Sequence, residues 1–205
     1  MLAVEEARRK VLESVSRLEI IEVTLLETLG LTLAEEVTAN NDIPPFDNSA
    51  MDGYAVRAED LAGAGPESPV RLEVLEDLPA GYHTETRIGK GQAIRIMTGA
   101  PVPAGADTVI PVESTRPEDR SVLILEELPR DSHVRQAGED VRDGDTVIEP
   151  GLVVGPAEMG MLASLGYSRV RCFRKPVAGI ISTGDELVGV DEELAPGKIR
   201  DSNSY

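Results

Sequence analysis

Two carboxylates, an amide and a hydroxyl crowd into one short stretch, Asp47-Asn48-Ser49-Ala50-Met51-Asp52, which Gly53 closes. Side chains of these types bond their own backbone and hold turns. Gly53 permits a positive φ or the close approach of a ligand to the acid before it. Pro44 and Pro45 stiffen the entry and bias the residue before them to extended geometry. Phe46 and Tyr54 bracket the polar centre in a chain with only four tyrosines, two phenylalanines and no tryptophan. Two readings stand: an acidic turn built to meet a ligand, or an ornate turn leading into a strand, Tyr54-Ala55-Val56. Similar mixtures recur at Thr98-Gly99, Glu139-Asp140, Ser182-Thr183-Gly184-Asp185-Glu186 and Asp201-Ser202-Asn203. Each has a structural alternative. Asp52-Gly53 is a common turn pair, Thr98 suits a strand end, Asp140 sits in a solvated acidic run, and Glu186 suits the cap of a following helix. Gly89-Lys90-Gly91 is too sparse for a phosphate loop, and neither a Walker A nor a dinucleotide fingerprint occurs.

The elements that must position these residues are legible in the hydrophobic pattern. Val4, Ala7, Val11, Leu12, Val15 and Leu18 mark one face of an amphipathic helix, Val4 to Leu18. That face must be buried within the chain or against another copy. Ile20 to Val23 reads as a strand, Leu25 to Leu29 as a helical turn closed by Gly30, and Leu31 to Val37 as extended. From Met51 to about Arg135 short β-prone runs alternate with Gly and Pro: Val70 to Leu75, Ala93 to Met97, Thr108 to Val112 and Val122 to Leu125. This spacing predicts a small sandwich or barrel. Asp145 to Val154 reads as extended. Pro156 opens a helix to Leu165, with Gly166 as its stop. Tyr167 to Phe173 is a further strand. The apolar run Val177 to Ile181 ends in Ser182-Thr183-Gly184-Asp185-Glu186, as an α/β domain presents a ligand site at its strand ends.

The composition narrows the function classes. The net charge of -17 argues against a nucleic-acid partner, since phosphate binding wants clustered Lys and Arg. One cysteine, Cys172, excludes an internal disulfide, and with only His83 and His133 beside it a zinc site is not expected. No apolar run approaches the ~20 residues of a membrane span, and the N-terminus does not read as a signal peptide. The expectation is a cytoplasmic protein with no membrane partner.

Asp47-Asn48-Ser49-Ala50-Met51-Asp52-Gly53-Tyr54-Ala55 resembles the signature of the MoeA family, the molybdopterin molybdenumtransferases, which include the gephyrin E domain. Arg95-Ile96-Met97-Thr98-Gly99-Ala100-Pro101-Val102-Pro103, Gly138-Glu139-Asp140, Ser182-Thr183-Gly184-Asp185-Glu186-Leu187 and Asp201-Ser202-Asn203 resemble further blocks, in the family's order. Members of that family are longer, so the resemblance implies an N-terminal fragment. It implies a multidomain α+β architecture: an elongated linking domain formed by residues 1–46 and 141–175, an inserted β-rich, barrel-like domain at 47–140, and the start of an α/β molybdopterin-binding domain at 176–205.

The implied activity is insertion of molybdate into adenylylated molybdopterin with release of AMP, assisted by Mg²⁺. The resemblance places Asp52, Thr98, Asp140 and Glu186 in catalysis, with Asp52, Asp140 and Glu186 as candidate Mg²⁺ ligands. Carboxylates can hold a cation that neutralises phosphate oxygens, or orient a water, and Thr98 can donate to an oxyanion. Substrate binding falls to Asn48, Ser49, Gly53, Gly99, Gly184, Asp185, Asp201, Ser202 and Asn203. A divalent cation would also reconcile an acidic chain with anionic substrates. The implied partners are a second copy of the chain and a MogA-like molybdopterin adenylyltransferase upstream. The fragment alone is expected to be inactive. The alternatives are a non-catalytic dimerisation or scaffold fragment, and an unrelated β-barrel module.

Overall fold

A computed structural model describes residues 2–205. The architecture is α+β, with many short strands and few helices. The chain divides into two compact units, one comprising Met1–Glu35, Gly151–Gly160 and Tyr167–Tyr205, the other Glu36–Pro150 and Met161–Gly166.

In the first unit, the helix Val4–Glu13 carries i,i+4 pairs, Arg9 with Glu13 at 2.7 Å and Lys10 with Glu6 at 3.3 Å. It buries no residue, and Val11 and Leu12 stand 61% and 59% exposed. It also stops at Glu13, short of the expected Leu18. The Ser14 hydroxyl donates to the Val11 carbonyl at 2.7 Å, and no packing rewards a further turn. Beyond it, Arg169–Phe173 is the centre of a three-stranded antiparallel sheet, flanked by Ile20–Thr24 and Thr32–Leu33. Val170 and Cys172 alternate into the interior while Arg169 and Arg171 face out. A single helical turn, Leu25–Thr28, follows the first strand. The Thr24 N–H and hydroxyl both donate to Glu27 Oε2, at 2.9 and 2.7 Å, and Gly30 closes the turn with φ +74°.

The expected strand Val177 to Ile181 does not form. Val177 and Ile181 are 88% and 86% exposed, and a strand needs a neighbour to take its backbone groups. After it come two short parallel strands, Leu187–Val188 and Ile199–Arg200.

The second unit is built on a six-stranded mixed sheet of half-barrel form. Its order is Thr108–Pro111, Gly53–Val56, Gln92–Ile96, Val70–Leu78, Ser121–Ile124, Thr115–Pro117. The expected sandwich or barrel is thus an open sheet, whose two edge strands are joined in sequence by the turn Val112–Ser114. Only Val70–Leu78 and Gln92–Ile96 run parallel, which requires the long connection 79–91.

Both faces of this sheet are covered. Tyr54, Val56, Leu72, Ala93, Ile110 and Val122 pack on one side, and Ala55, Leu78, Ile94, Ile96 and Val109 on the other. Gly53–Val56 is consequently buried at every residue, and its sequence is a continuous small-and-apolar run without polar alternation. Gly53 itself is demanded by this packing. A Cβ there would lie 1.9 Å from the Ile110 carbonyl oxygen, so the close approach expected of a ligand is made by the neighbouring strand.

Candidate functional site

Residues 47–52 are held between two segments distant in sequence. On one side, the Gly99 N–H donates to Ser49 O at 2.8 Å, Ser49 N–H to Ala100 O at 3.0 Å, and Val102 N–H to Asp47 O at 2.9 Å. On the other, Asn48–Ser49 pairs antiparallel with Val134–Arg135, and Ala50 N–H donates to His133 O at 2.9 Å. The Asp47 carboxylate accepts the Ala137 N–H at 2.8 Å. Three of the sequence blocks, around Asp52, Thr98 and Asp140, therefore share one backbone frame.

Local chemistry fixes the turn. Ser49 Oγ donates to Met51 O at 2.5 Å and Asn48 Nδ2 to Phe46 O at 3.2 Å. Both side chains are buried and serve their own loop, which satisfies groups that would otherwise be costly to bury. The functional groups that remain outward are acidic. Asp52 Oδ1 accepts both the N–H and the hydroxyl of Thr98, each at 2.8 Å. These two bonds, the backbone one first, hold the Asp52 carboxyl below its ordinary value, with Arg95 assisting. Asp52 is thus an ionised, solvent-facing carboxylate whose Oδ2 meets no protein donor among the described residues. Gly99 turns the chain with φ +83° immediately after Thr98.

Asp140 is the exposed end of an ion-pair fork. Arg135 places Nη2 2.9 Å from Asp140 Oδ2 and Nε 2.7 Å from Glu139 Oε1. The Arg135 guanidinium and the Gln136 N–H hold the Glu139 carboxyl low. The backbone of this turn is tied down by Gly138 N–H to Pro44 O at 2.9 Å and Asp140 N–H to Ile43 O at 3.0 Å. Arg135 escaped sequence reasoning. The available signal was an arginine five residues before an acid in a chain with an excess of Asp and Glu.

Glu186, Gly184, Asp185, Asp201, Ser202 and Asn203 lie in the other unit. Glu186 folds back over Gly184, where a Cβ would meet its carboxylate at 2.6 Å. Lys198 Nζ donates to the Asp185 carbonyl. Asp201 gathers donors from Ser182, Asn203 and Ser204.

Among the described residues no three His, Cys, Asp or Glu side chains are grouped so as to hold a metal ion. No dedicated protein cage for Mg²⁺ is present among the described residues. Asp52, with one oxygen unclaimed, fits the other mode of Mg²⁺ binding, in which one or two carboxylates join oxygens that the substrate phosphates provide.

A family model, the MoeA N-terminal region (domain I and II), matches residues 2–166. The chain is 45% identical over 204 residues to molybdopterin molybdenumtransferase 2 of Mycobacterium tuberculosis, covering 100% of this chain and 50% of that protein. It is 42% identical over 207 residues to the molybdopterin molybdenumtransferase of Bacillus subtilis, covering 99% and 48%. It spans about half the length of these curated relatives. The crystal structure of the molybdopterin biosynthesis MoeA protein from Pyrococcus horikoshii OT3 superimposes with a TM-score of 0.87 at 35% identity, over 100% of this chain and 55% of that one. With the family region covering residues 2–166 and three of the five characteristic blocks sharing one backbone frame, this chain belongs to the MoeA family.

Proposed function

We propose that the protein to which this chain contributes inserts molybdate into adenylylated molybdopterin, releasing AMP, as a step of molybdenum cofactor biosynthesis. The observation that carries this reading is the frame that unites the Asp52, Thr98 and Asp140 blocks and leaves an ionised carboxylate outward. The relatives' printed names supply the reaction class. Asp52 acts as the charged acceptor of the site, and Thr98 holds its orientation through two hydrogen bonds. Asp140, steered by Arg135, and Glu186 are the other candidate catalytic acids. Gly99, Gly184, Asp185, Ser202 and Asn203 border the substrate, while Asn48 and Ser49 shape the loop that bears Asp52. Mg²⁺, when bound with the substrate phosphates, would supply charge neutralisation, and Asp52, Asp140 and Glu186 are the carboxylates that would serve as its protein ligands.

The same reading assigns residues 1–46 and 141–175 to a linking domain, 47–140 to an inserted domain and 176–205 to the start of a molybdopterin-binding domain. It places the protein in the cytoplasm, as a homodimer served by a MogA-like adenylyltransferase. Pairing is supported by the uncovered apolar residues Val4, Val11, Leu12 and Val15, 59% to 78% exposed. The test is transfer in vitro from adenylylated molybdopterin, Mg²⁺ and molybdate, using the protein at its relatives' full length. The Asp52→Asn variant is expected to lose about 100-fold in turnover with its fold intact. Wild-type turnover in that variant would remove Asp52 from the mechanism.

A further inference from the structure

We infer that Asp201 is a positioning residue, which fixes the loop Ser182-Thr183-Gly184-Asp185-Glu186 through the Ser182 hydroxyl and does not itself meet substrate or metal. Its meaning for turnover rests on the function proposed above. The geometry is that of a carboxylate already spent. Oδ1 accepts from Ser182 Oγ at 2.9 Å, Asn203 N–H at 2.9 Å and Ser204 N–H at 3.2 Å. The Ser204 hydroxyl reaches Oδ2, and its oxygen lies 2.9 Å from Ser182 Oγ. Its one proton goes to the carboxylate, because a charged acceptor outcompetes a neutral hydroxyl.

Two oxygens that accept four donors have little left for an incoming cation. The donors also hold the carboxyl below its ordinary value, Ser204's hydroxyl first, then the Asn203 N–H and the Ser182 hydroxyl. An anionic phosphate would be repelled by such a group.

What Asp201 does reach is the other loop. The Asp201 N–H donates to Val188 O at 2.9 Å, and Ile199 N–H to Glu186 O at 2.8 Å. Segment 198–201 therefore grips residues 185–188 by backbone, and the carboxylate adds the grip at Ser182. Glu186, whose carboxylate lies over Gly184, is within the stretch so gripped.

The test compares Ser182→Ala, Asp201→Asn, Asp201→Ala and the double variant Ser182→Ala/Asp201→Ala. Amide hydrogen exchange at residues 184–187 is expected to rise about tenfold in Ser182→Ala and Asp201→Ala, with the double variant no faster than the faster single one. Asp201→Asn, which keeps the Oδ1 acceptor, is expected to fall between wild type and Asp201→Ala. Titration with Mg²⁺ and with AMP, followed by carboxyl NMR, is expected to leave the Asp201 signal in place. Movement of that signal with either probe, additive exchange effects, or unchanged exchange in Ser182→Ala would overturn the inference. A full-length wild-type protein without molybdate transfer would instead remove the functional reading and leave the exchange result standing.

Discussion

Asp52 and Thr98 show how a single pair of side chains can set the electrostatics of a surface site. A carboxyl whose folded pKa is depressed stabilises the native state above its unfolded value, and that contribution is lost as pH falls through the lower folded value. Asp52→Asn should therefore narrow its stability gap to wild type as pH drops below the ordinary Asp value of about 3.9. Thr98→Val, which removes one of the two donors, should raise the Asp52 pKa, and Thr98→Ser should restore it. Carboxyl NMR titration of the three proteins checks both statements; an Asp52 value unmoved in Thr98→Val contradicts them. Gly53 makes a different kind of claim. Gly53→Ala forces a methyl group against the Ile110 carbonyl, and about 3 kcal/mol or more of stability should be lost. Urea unfolding at equal m-value measures it, and a loss below about 1 kcal/mol would contradict the packing described.

At the scale of elements, the central strands depend on a core that closes both faces of the mixed sheet. Ile94, fully buried, should cost about 2–5 kcal/mol on truncation to Ala. Val11→Ser in the exposed helix should leave the melting temperature of the monomer little changed and weaken pairing. These elements differed in how legible they were. The runs Val70 to Leu75, Ala93 to Met97 and Thr108 to Val112 announce strands by composition alone, because a buried strand concentrates β-branched and aliphatic residues. The C-terminal extension of the first of these to Leu78 was not readable through Glu76 and Asp77. The pairing Asn48–Ser49 with Val134–Arg135 was invisible for another reason. Two residues carry no periodicity, and the partner lies far along the chain. Likewise Asp52 and Asp140 could be named from their motif surroundings, but the Thr98 and Arg135 bonds that orient them are long-range or geometric facts. The helix end at Glu13 was missed because apolar spacing continues to Leu18 whether or not anything packs against it.

For the molecule as a whole, charge is the dominant non-local property. A net -17 over 205 residues implies self-repulsion that opposes compaction and is screened by salt. Raising NaCl from about 10 to about 200 mM, which shortens the Debye length from roughly 30 to below 10 Å, should raise the melting temperature. A fall would show that the ion pairs, such as Arg71 with Glu118 at 2.7 Å, outweigh the repulsion. Homodimerisation has its own whole-molecule test, sedimentation across a concentration series. Weight-average mass fixed at the monomer value up to high micromolar concentration would contradict it.

The bond from the Ala137 N–H to Asp47 joins residues 90 positions apart. This has a consequence for the protein while it is being made. At a synthesis rate of roughly 5–20 residues per second, the acidic turn leaves the ribosome roughly 5–20 s before the strand that must clamp it. Through that interval the loop that bears Asp52 is held at most on its Thr98–Val102 side. A ribosome stalled with residue 120 just emerged should therefore display a nascent chain that a protease cuts near Met51, and one stalled beyond residue 150 should not.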